Sequence, residues 1–98
     1  MADAVPDLLT DLEVLLRSRK AEQPTGSYSA TLVTDPVAVQ RKIMEEAFEV
    51  CLELGAVEVD TDRAASEAAD LVFHLLAGLV GAGVTWDQVL AELASRRR

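Results

Sequence analysis

Two stretches of the chain decide its fold: residues 42–49, which read Lys-Ile-Met-Glu-Glu-Ala-Phe-Glu, and residues 67–74, which read Glu-Ala-Ala-Asp-Leu-Val-Phe-His. Each has the pattern of a helix interior. With roughly 100° between successive helical residues, the lysine and the glutamates of the first stretch fall within an arc of about 100°. In the second stretch the aspartate and the histidine fall within about 60° of the leading glutamate. Both patterns predict a helix with its carboxylates on one face.

The second stretch is the harder one to explain as an ordinary solvated surface. Its acids are surrounded by alanines, and residues 71–84 are apolar apart from His74. A helix that is apolar almost all round is normally buried. A buried carboxylate must be paired, hydrogen-bonded, metal-bound or protonated. We therefore expect Glu67 and Asp70 to be buried and satisfied in one of these ways.

Composition bounds the class of protein. The chain has 98 residues, half of them hydrophobic, which is enough for one domain with a modest core. The net charge of −8 disfavours non-specific binding to nucleic acid or to an anionic membrane. A single cysteine, Cys51, excludes an internal disulfide and is expected in the core. One cysteine and one histidine also argue against a zinc site.

No targeting or membrane segment is expected. Residues 1–7 are acidic and lack the apolar run of a signal peptide. The longest apolar stretch, 71–84, is shorter than the roughly 20 residues that a membrane span needs. The sequence therefore predicts a cytoplasmic protein with no membrane partner.

Helical periodicity and capping residues predict four helices and no sheet. The predicted spans are 7–20, 36–54 after the Asp35-Pro36 start, a third helix from Asp60 or Thr61 to residues 81–83, and 86–95 behind a capping box of Thr85 and Gln88. Residues 21–34 are predicted to form a loop that a ligand could order, with hydroxyl groups from Ser27 and Tyr28. The third helix is too apolar for three short partners to cover. The predicted fold is therefore an all-α, four-helix bundle completed by homodimerisation.

The acidic faces of the two central helices are expected to meet. The five-residue connector favours antiparallel packing, which turns the glutamates of 45–49 toward Glu67 and Asp70. Five carboxylates in one seam repel each other, and either protonation or bound cations would relieve the repulsion. Ligands that are all oxygen select hard ions, so Mg²⁺ or Mn²⁺ is the natural choice.

A di-iron bundle is the competing metal site. Such a site uses Glu-x-x-His on two helices, whereas the only histidine here, His74, has Leu71 three residues before it. The pattern therefore favours a carboxylate-bound Mg²⁺ beside Lys42 and the serine and tyrosine loop. This combination suits phosphate-ester chemistry.

The motifs and their spacing resemble a known superfamily. Glu-Glu-x-x-Glu at 45–49, followed after seventeen residues by Glu-x-x-Asp at 67–70, is similar to the signature of the all-α nucleotide pyrophosphohydrolases, the MazG-like superfamily. The flanking segments 26–30, 42–50, 67–76 and 83–90 resemble the phosphoribosyl-ATP pyrophosphohydrolase family of histidine biosynthesis. The resemblance covers nearly the whole chain.

The resemblance implies a single domain over 1–98 and a hydrolase of histidine biosynthesis. The implied reaction, the second step of that pathway, is attack of a metal-activated water between the α- and β-phosphates of phosphoribosyl-ATP, which gives phosphoribosyl-AMP and pyrophosphate. The implied Mg²⁺ ligands, with Mn²⁺ as a substitute ion, are Glu46, Glu49, Glu67 and Asp70. Glu45 is implied as a further ligand or as the group that orients water.

The same resemblance implies the substrate contacts. Lys42 would contact phosphate, and Ser27 and Tyr28 would belong to a loop that orders over the substrate. His74 is placed with the substrate-binding residues, and either a hydrogen bond or core packing would explain it. One departure concerns Thr31, because the family often has a basic residue after the Ser-Tyr-Thr-Ala run.

Two other functions are compatible with the residues. A house-cleaning nucleoside triphosphate pyrophosphatase of the same superfamily would share the metal, fold and reaction type and differ in substrate. A non-catalytic helical interaction module would treat the glutamates as solvated and the third helix as a partner-binding face. The interaction module predicts no effect of Mg²⁺ on stability or chemistry.

Overall fold

The computed structural model describes residues 8–97, which form five helices and no strand within that range. The helices are α1 (Leu8–Glu22), α2 (Tyr28–Thr34), α3 (Pro36–Leu54), α4 (Thr61–Ala82) and α5 (Trp86–Ser95). The all-α class is confirmed, and the prediction of four helices is short by one. The predictions for residues 1–7 and for Arg98 lie outside the described residues.

The additional helix, α2, occupies part of the predicted loop 21–34, so that part of the loop prediction was wrong. The Ser27 hydroxyl accepts a hydrogen bond from the Ala30 amide at 3.1 Å and caps the helix. Ala30, Leu32 and Val33 are buried in the core. A helix of seven residues is not stable alone, and tertiary packing of this apolar face accounts for its formation.

The other helix ends follow the predicted capping chemistry. Asp60 accepts hydrogen bonds from the first amides of α4, and Gly83 ends that helix in the left-handed region with φ of 79°. Thr85 and Gln88 form the reciprocal capping box of α5. These local signals explain why the sequence placed α3, α4 and α5 correctly.

Helices α3 and α4 pack antiparallel. The side chain of Ile43 lies against Gly78, whereas at the other end of the pair Glu53 forms a salt bridge of 3.1 Å with Arg63. The core that these helices share with α1 and α2 consists of Leu16, Leu32, Val33, Val39, Leu76, Ala77 and Val80.

By length and composition alone α4 could span a membrane, but a core helix of a soluble protein passes the same test. Three of the core residues come from α4, which accounts for part of its apolar composition.

One face of α3 remains uncovered. Val37, Met44, Phe48 and Leu52 lie within about 80° of arc and are 58–66% exposed. We call these four residues the α3 stripe. Cys51 on the same side is also exposed, so the prediction that it is a core residue was wrong. The physical reason is that the apolar arc of α3 is wider than α4 and α2 can cover.

Glu13 joins α1 to α5. It is buried, accepts a hydrogen bond from the Trp86 backbone amide at 2.8 Å, and forms a salt bridge of 3.0 Å with Arg17. A carboxylate at the first turn of a helix also interacts favourably with its dipole. We expect Glu13→Ala to lower the free energy of unfolding by about 1–3 kcal/mol, because it leaves the Trp86 amide without this acceptor.

Urea denaturation would measure this loss. The control is Glu22→Ala, which removes an exposed glutamate from the end of the same helix and is expected to change stability by less than about 0.5 kcal/mol. Equal stability of the two variants would contradict the assigned role of Glu13.

Candidate active site

Three carboxylates meet where α3 and α4 pack against each other. Glu46 and Glu49 of α3 and Glu67 of α4 each offer a carboxylate oxygen, and these oxygens lie within 4.8 Å of one another. Glu46 is buried, Glu67 is half-buried and Glu49 is exposed. We call these three residues the acid cluster. The antiparallel pairing thus brings together three of the five acids in the predicted seam.

Glu46 has an orphaned oxygen. The residue is only 7% exposed, and its Oε1 atom is buried without a hydrogen-bond partner among the described residues. Its other oxygen lies 3.6 Å from the Lys42 ammonium. A buried carboxylate oxygen without a partner is costly, and two more carboxylates nearby add repulsion. An all-oxygen donor set of this kind fits a hard divalent cation such as Mg²⁺.

Asp70 and Glu45 lie outside this close group. The Asp70 side chain is exposed, and the Glu45 side chain is 60% exposed. The expectation that Glu67 and Asp70 are both buried was therefore wrong, and Glu46 is the buried acid. The reason is that α4 has its core contacts in its second half, at Leu76 and beyond, whereas its first half carries these acids near the surface.

Lys42 lies between two glutamates. Its ammonium is 3.3 Å from Glu45 and 3.6 Å from Glu46. The hydrogen bond that Lys42 donates to Glu45 and the charge of that carboxylate raise the pKa of Lys42 above its ordinary value, with smaller contributions from Tyr28 and Glu46. Lys42 therefore remains a cation beside the acid cluster throughout the neutral range.

A hydrogen-bonded pair connects α2 to α4. His74 is buried, and its Nδ1 lies 2.7 Å from the backbone carbonyl of Asp70, which can only accept. Nδ1 therefore carries a proton, and in the neutral ring Nε2 accepts from the Tyr28 hydroxyl at 2.9 Å. The two rings meet edge to face with centroids 5.9 Å apart. The structure contains both features considered for His74, since its two nitrogens are hydrogen-bonded and its buried ring packs edge to face on Phe73.

A second polar group lies at the start of α2. The Ser27 hydroxyl is 3.2 Å from the Ser29 hydroxyl, and Ser29 accepts a hydrogen bond of 3.3 Å from Nε of Arg19. Sequence reasoning missed Arg19 as a site residue and used it only as a charge that favours the end of α1. The contact joins residues ten positions apart and exists only because α2 is helical, so no local signal reports it.

An apolar cavity of about 560 Å³ lies on another part of the surface. The second half of α4, the first half of α3 and the end of α2 line it, and no acidic residue contributes. Its one lysine, Lys20, donates to the backbone carbonyl of Gly81 at 3.1 Å. This cavity therefore lacks the groups for metal or phosphate chemistry, and the acid cluster is the better candidate.

Comparison with known proteins agrees with this geometry. Residues 9–97 match the family described as phosphoribosyl-ATP pyrophosphohydrolase. A phosphoribosyl-ATP pyrophosphatase of Caulobacter vibrioides (strain NA1000 / CB15N) is 36% identical over 98% of this chain and 88% of its own length. The protein of that name from Methylobacterium nodulans is 42% identical over 90% of this chain and 81% of its own length. The one from Haloarcula marismortui is 40% identical over 99% of this chain and 100% of its own length. No solved structure gives a significant match. The chain belongs to the phosphoribosyl-ATP pyrophosphohydrolase family.

Proposed function

We propose that this chain hydrolyses phosphoribosyl-ATP to phosphoribosyl-AMP and pyrophosphate, in histidine biosynthesis. Family membership supports the reaction, since the curated relatives carry the name of this activity. The structural observation that carries the proposal is the buried, unpartnered oxygen of Glu46 within the acid cluster. It marks where a cation-dependent reaction on phosphate would take place.

Glu46, Glu49 and Glu67 would hold Mg²⁺, with Mn²⁺ as a substitute. When bound, the ion supplies positive charge to phosphate oxygens and makes a water molecule more acidic. Asp70 is one helical turn beyond Glu67 and remains a proposed further ligand. Glu45, exposed at the edge of the cluster, is a proposed further ligand or the group that orients the attacking water.

The remaining site residues would bind and orient the substrate. Lys42 offers a cation to a phosphate, and its two glutamate contacts hold it beside the acid cluster. Tyr28 is 54% exposed, and His74 fixes its hydroxyl, so the tyrosine ring can contact the nucleotide. Because both nitrogens of His74 already have partners within the protein, we propose that it acts through Tyr28. Ser27 caps α2 and so sets the position of Tyr28.

A substrate panel tests the reaction and its specificity. The purified protein would be incubated with phosphoribosyl-ATP and, separately, with ordinary and modified nucleoside triphosphates, while pyrophosphate and orthophosphate are measured. We expect pyrophosphate from phosphoribosyl-ATP and little product from the others. Pyrophosphate from the other triphosphates alone would indicate a house-cleaning enzyme. No product from any of them would favour the interaction module.

A second copy of the chain is the proposed macromolecular partner. The α3 stripe is a mostly apolar face on the surface, with the exposed Arg41 within it, and α4 has the partly exposed Val72 and Leu75. Packing two such faces together would remove both from water, and a twofold-symmetric homodimer is the simplest assembly that does so. Because α4 contributes Leu76, Ala77 and Val80 to the core, we propose that the enzyme has no membrane partner and works in the cytoplasm.

We expect Phe48→Glu to weaken the homodimer by at least about 100-fold, because it places a charge at the centre of an apolar interface. Light scattering coupled to size exclusion would show a dimer for the wild-type protein and a monomer for the variant at the same concentration. The control is Val57→Glu, which adds the same charge at a fully exposed residue of the α3–α4 connector. A monomeric wild-type protein, or a Phe48→Glu dimer, would rule out this interface.

A further inference from the structure

We propose that Arg19, held by Ser29, binds the phosphate at the phosphoribosyl end of the substrate and so selects phosphoribosyl-ATP over simpler triphosphates. This inference rests on the proposed function, since it names the part of the same substrate that lies away from the acid cluster. Arg19 belongs to α1 and has no part in the proposed metal binding or in the substrate contacts proposed for Ser27 and Tyr28.

The guanidinium of Arg19 is anchored but has unused donors. Its Nε donates to the Ser29 hydroxyl at 3.3 Å, and that hydroxyl lies 3.2 Å from the hydroxyl of Ser27. The two terminal nitrogens of the guanidinium have no hydrogen-bond or salt-bridge partner within residues 8–97. A planar fork of N–H groups held in place by one bond is well suited to a phosphate.

Arg19 differs from the cations that are held in ion pairs. Four basic side chains have an acidic partner, namely Arg17 with Glu13, Lys42 with Glu45 and Glu46, Arg63 with Glu53, and Arg96 with Glu92. Lys20 is exposed and donates to the backbone carbonyl of Gly81. Arg19 is half-buried and has none of the described acids within salt-bridge distance, although the chain carries a net charge of −8. Partial burial reduces hydration of the charge, which strengthens its attraction to an anion.

Arg19 contacts the start of α2, through Ser29. The preceding residue, Tyr28, is joined to His74 at 2.9 Å, and His74 is bonded in turn to the Asp70 carbonyl at 2.7 Å. Arg19 would therefore bind a phosphate other than those at the metal ligands. Phosphoribosyl-ATP carries a polyphosphate at one end and a monophosphate on the ribosyl group attached to its base. ATP lacks the ribosyl monophosphate.

Steady-state kinetics with phosphoribosyl-ATP test the assignment. We expect Arg19→Met to raise KM by about 10- to 100-fold and to change kcat by less than about threefold, because the lost contact is to a phosphate that does not react. Inhibition by pyrophosphate with Mg²⁺ should stay the same, since that product binds at the acid cluster. The control Arg17→Met removes an equal charge from the same helix and should leave KM unchanged.

A second variant covers the case in which Arg19→Met does not fold, which thermal unfolding would reveal. Ser29→Ala removes only the hydroxyl that holds Nε, and we expect it to raise KM by about 3- to 10-fold. An unchanged KM in either folded variant would overturn the proposal. So would a parallel loss of pyrophosphate inhibition, because it would place Arg19 at the reacting phosphates.

Calorimetric binding of phosphoribosyl-ATP, with Ca²⁺ in place of Mg²⁺, separates this inference from the proposed function. If the wild-type protein binds the compound without hydrolysing it under turnover conditions, the proposed function fails. In that case a higher Kd for phosphoribosyl-ATP in Arg19→Met than in Arg17→Met would still support the role of Arg19, and equal Kd values would overturn it. If the wild-type protein does not bind the compound, both proposals fail.

Discussion

Glu46→Gln is expected to lower kcat by at least about 1000-fold and yet to leave the metal-free protein as stable as the wild type, or more stable. The substitution keeps the shape of a buried side chain whose Oε1 has no partner among the described residues. It removes one of three negative charges whose oxygens lie within 4.8 Å. The new amide can also donate to Glu49 or Glu67, so a binding site is lost without a packing defect.

Urea denaturation with a chelator and with excess Mg²⁺ separates these effects. Binding of Mg²⁺ should stabilise the wild-type protein by about 2.7 kcal/mol at a concentration 100 times the Kd, and it should stabilise Glu46→Gln far less. The control Glu58→Gln makes the same substitution at an exposed residue of the connector and should behave as the wild type. Retained activity, or equal stabilisation of Glu46→Gln by Mg²⁺, would remove Glu46 from the metal site.

Gly81→Ala is expected to lower the free energy of unfolding by about 2 kcal/mol. A Cβ atom at this position would lie 2.8 Å from the carbonyl oxygen of Val33, and backbone atoms cannot rotate aside. Overpacking of this kind costs about 1–3 kcal/mol or more, while alanine regains up to about 1 kcal/mol as the better helix former. Because α2 must shift to relieve the contact, and Tyr28 begins α2, we also expect KM to rise.

Gly78→Ala is the matched control on the same helix. Its Cβ would lie 3.2 Å from Cδ1 of Ile43 and 3.6 Å from the methyl groups of Val39, which are ends of side chains that can adjust. We expect a change in unfolding free energy within about 1 kcal/mol of zero. Chemical denaturation of both variants tests the contrast, and equal effects would show that the approach of α2 to α4 is not tight.

The helices that the sequence placed well are those with strong local signals. Asp35 and Pro36 start α3, Gly83 ends α4, and Thr85 with Gln88 starts α5. Helix α2 is only seven residues long, too short to show a clear helical periodicity. Its stability comes from burying Leu32 and Val33 and from the close approach of Val33 to Gly81. These contacts are tertiary and cannot be read from neighbouring residues.

Part of the candidate site could also be predicted from local sequence patterns, and part depends on tertiary contacts. Helical period and antiparallel packing were sufficient to bring Glu46, Glu49 and Glu67 together. The exposure of Asp70 and Cys51 depends on what covers each helix face, which local pattern does not specify. The contact of Arg19 with α2 depends on a helix that the pattern did not predict.

The central claim is that this chain cleaves phosphoribosyl-ATP with a divalent ion held by the acid cluster. The most direct test is to strip the wild-type protein of metal, add phosphoribosyl-ATP, and follow the phosphorus resonances by NMR as Mg²⁺ is titrated. We predict no reaction before Mg²⁺ is added, and then equal amounts of phosphoribosyl-AMP and pyrophosphate without orthophosphate. Orthophosphate as the product, or hydrolysis at full rate without a divalent ion, would contradict the claim.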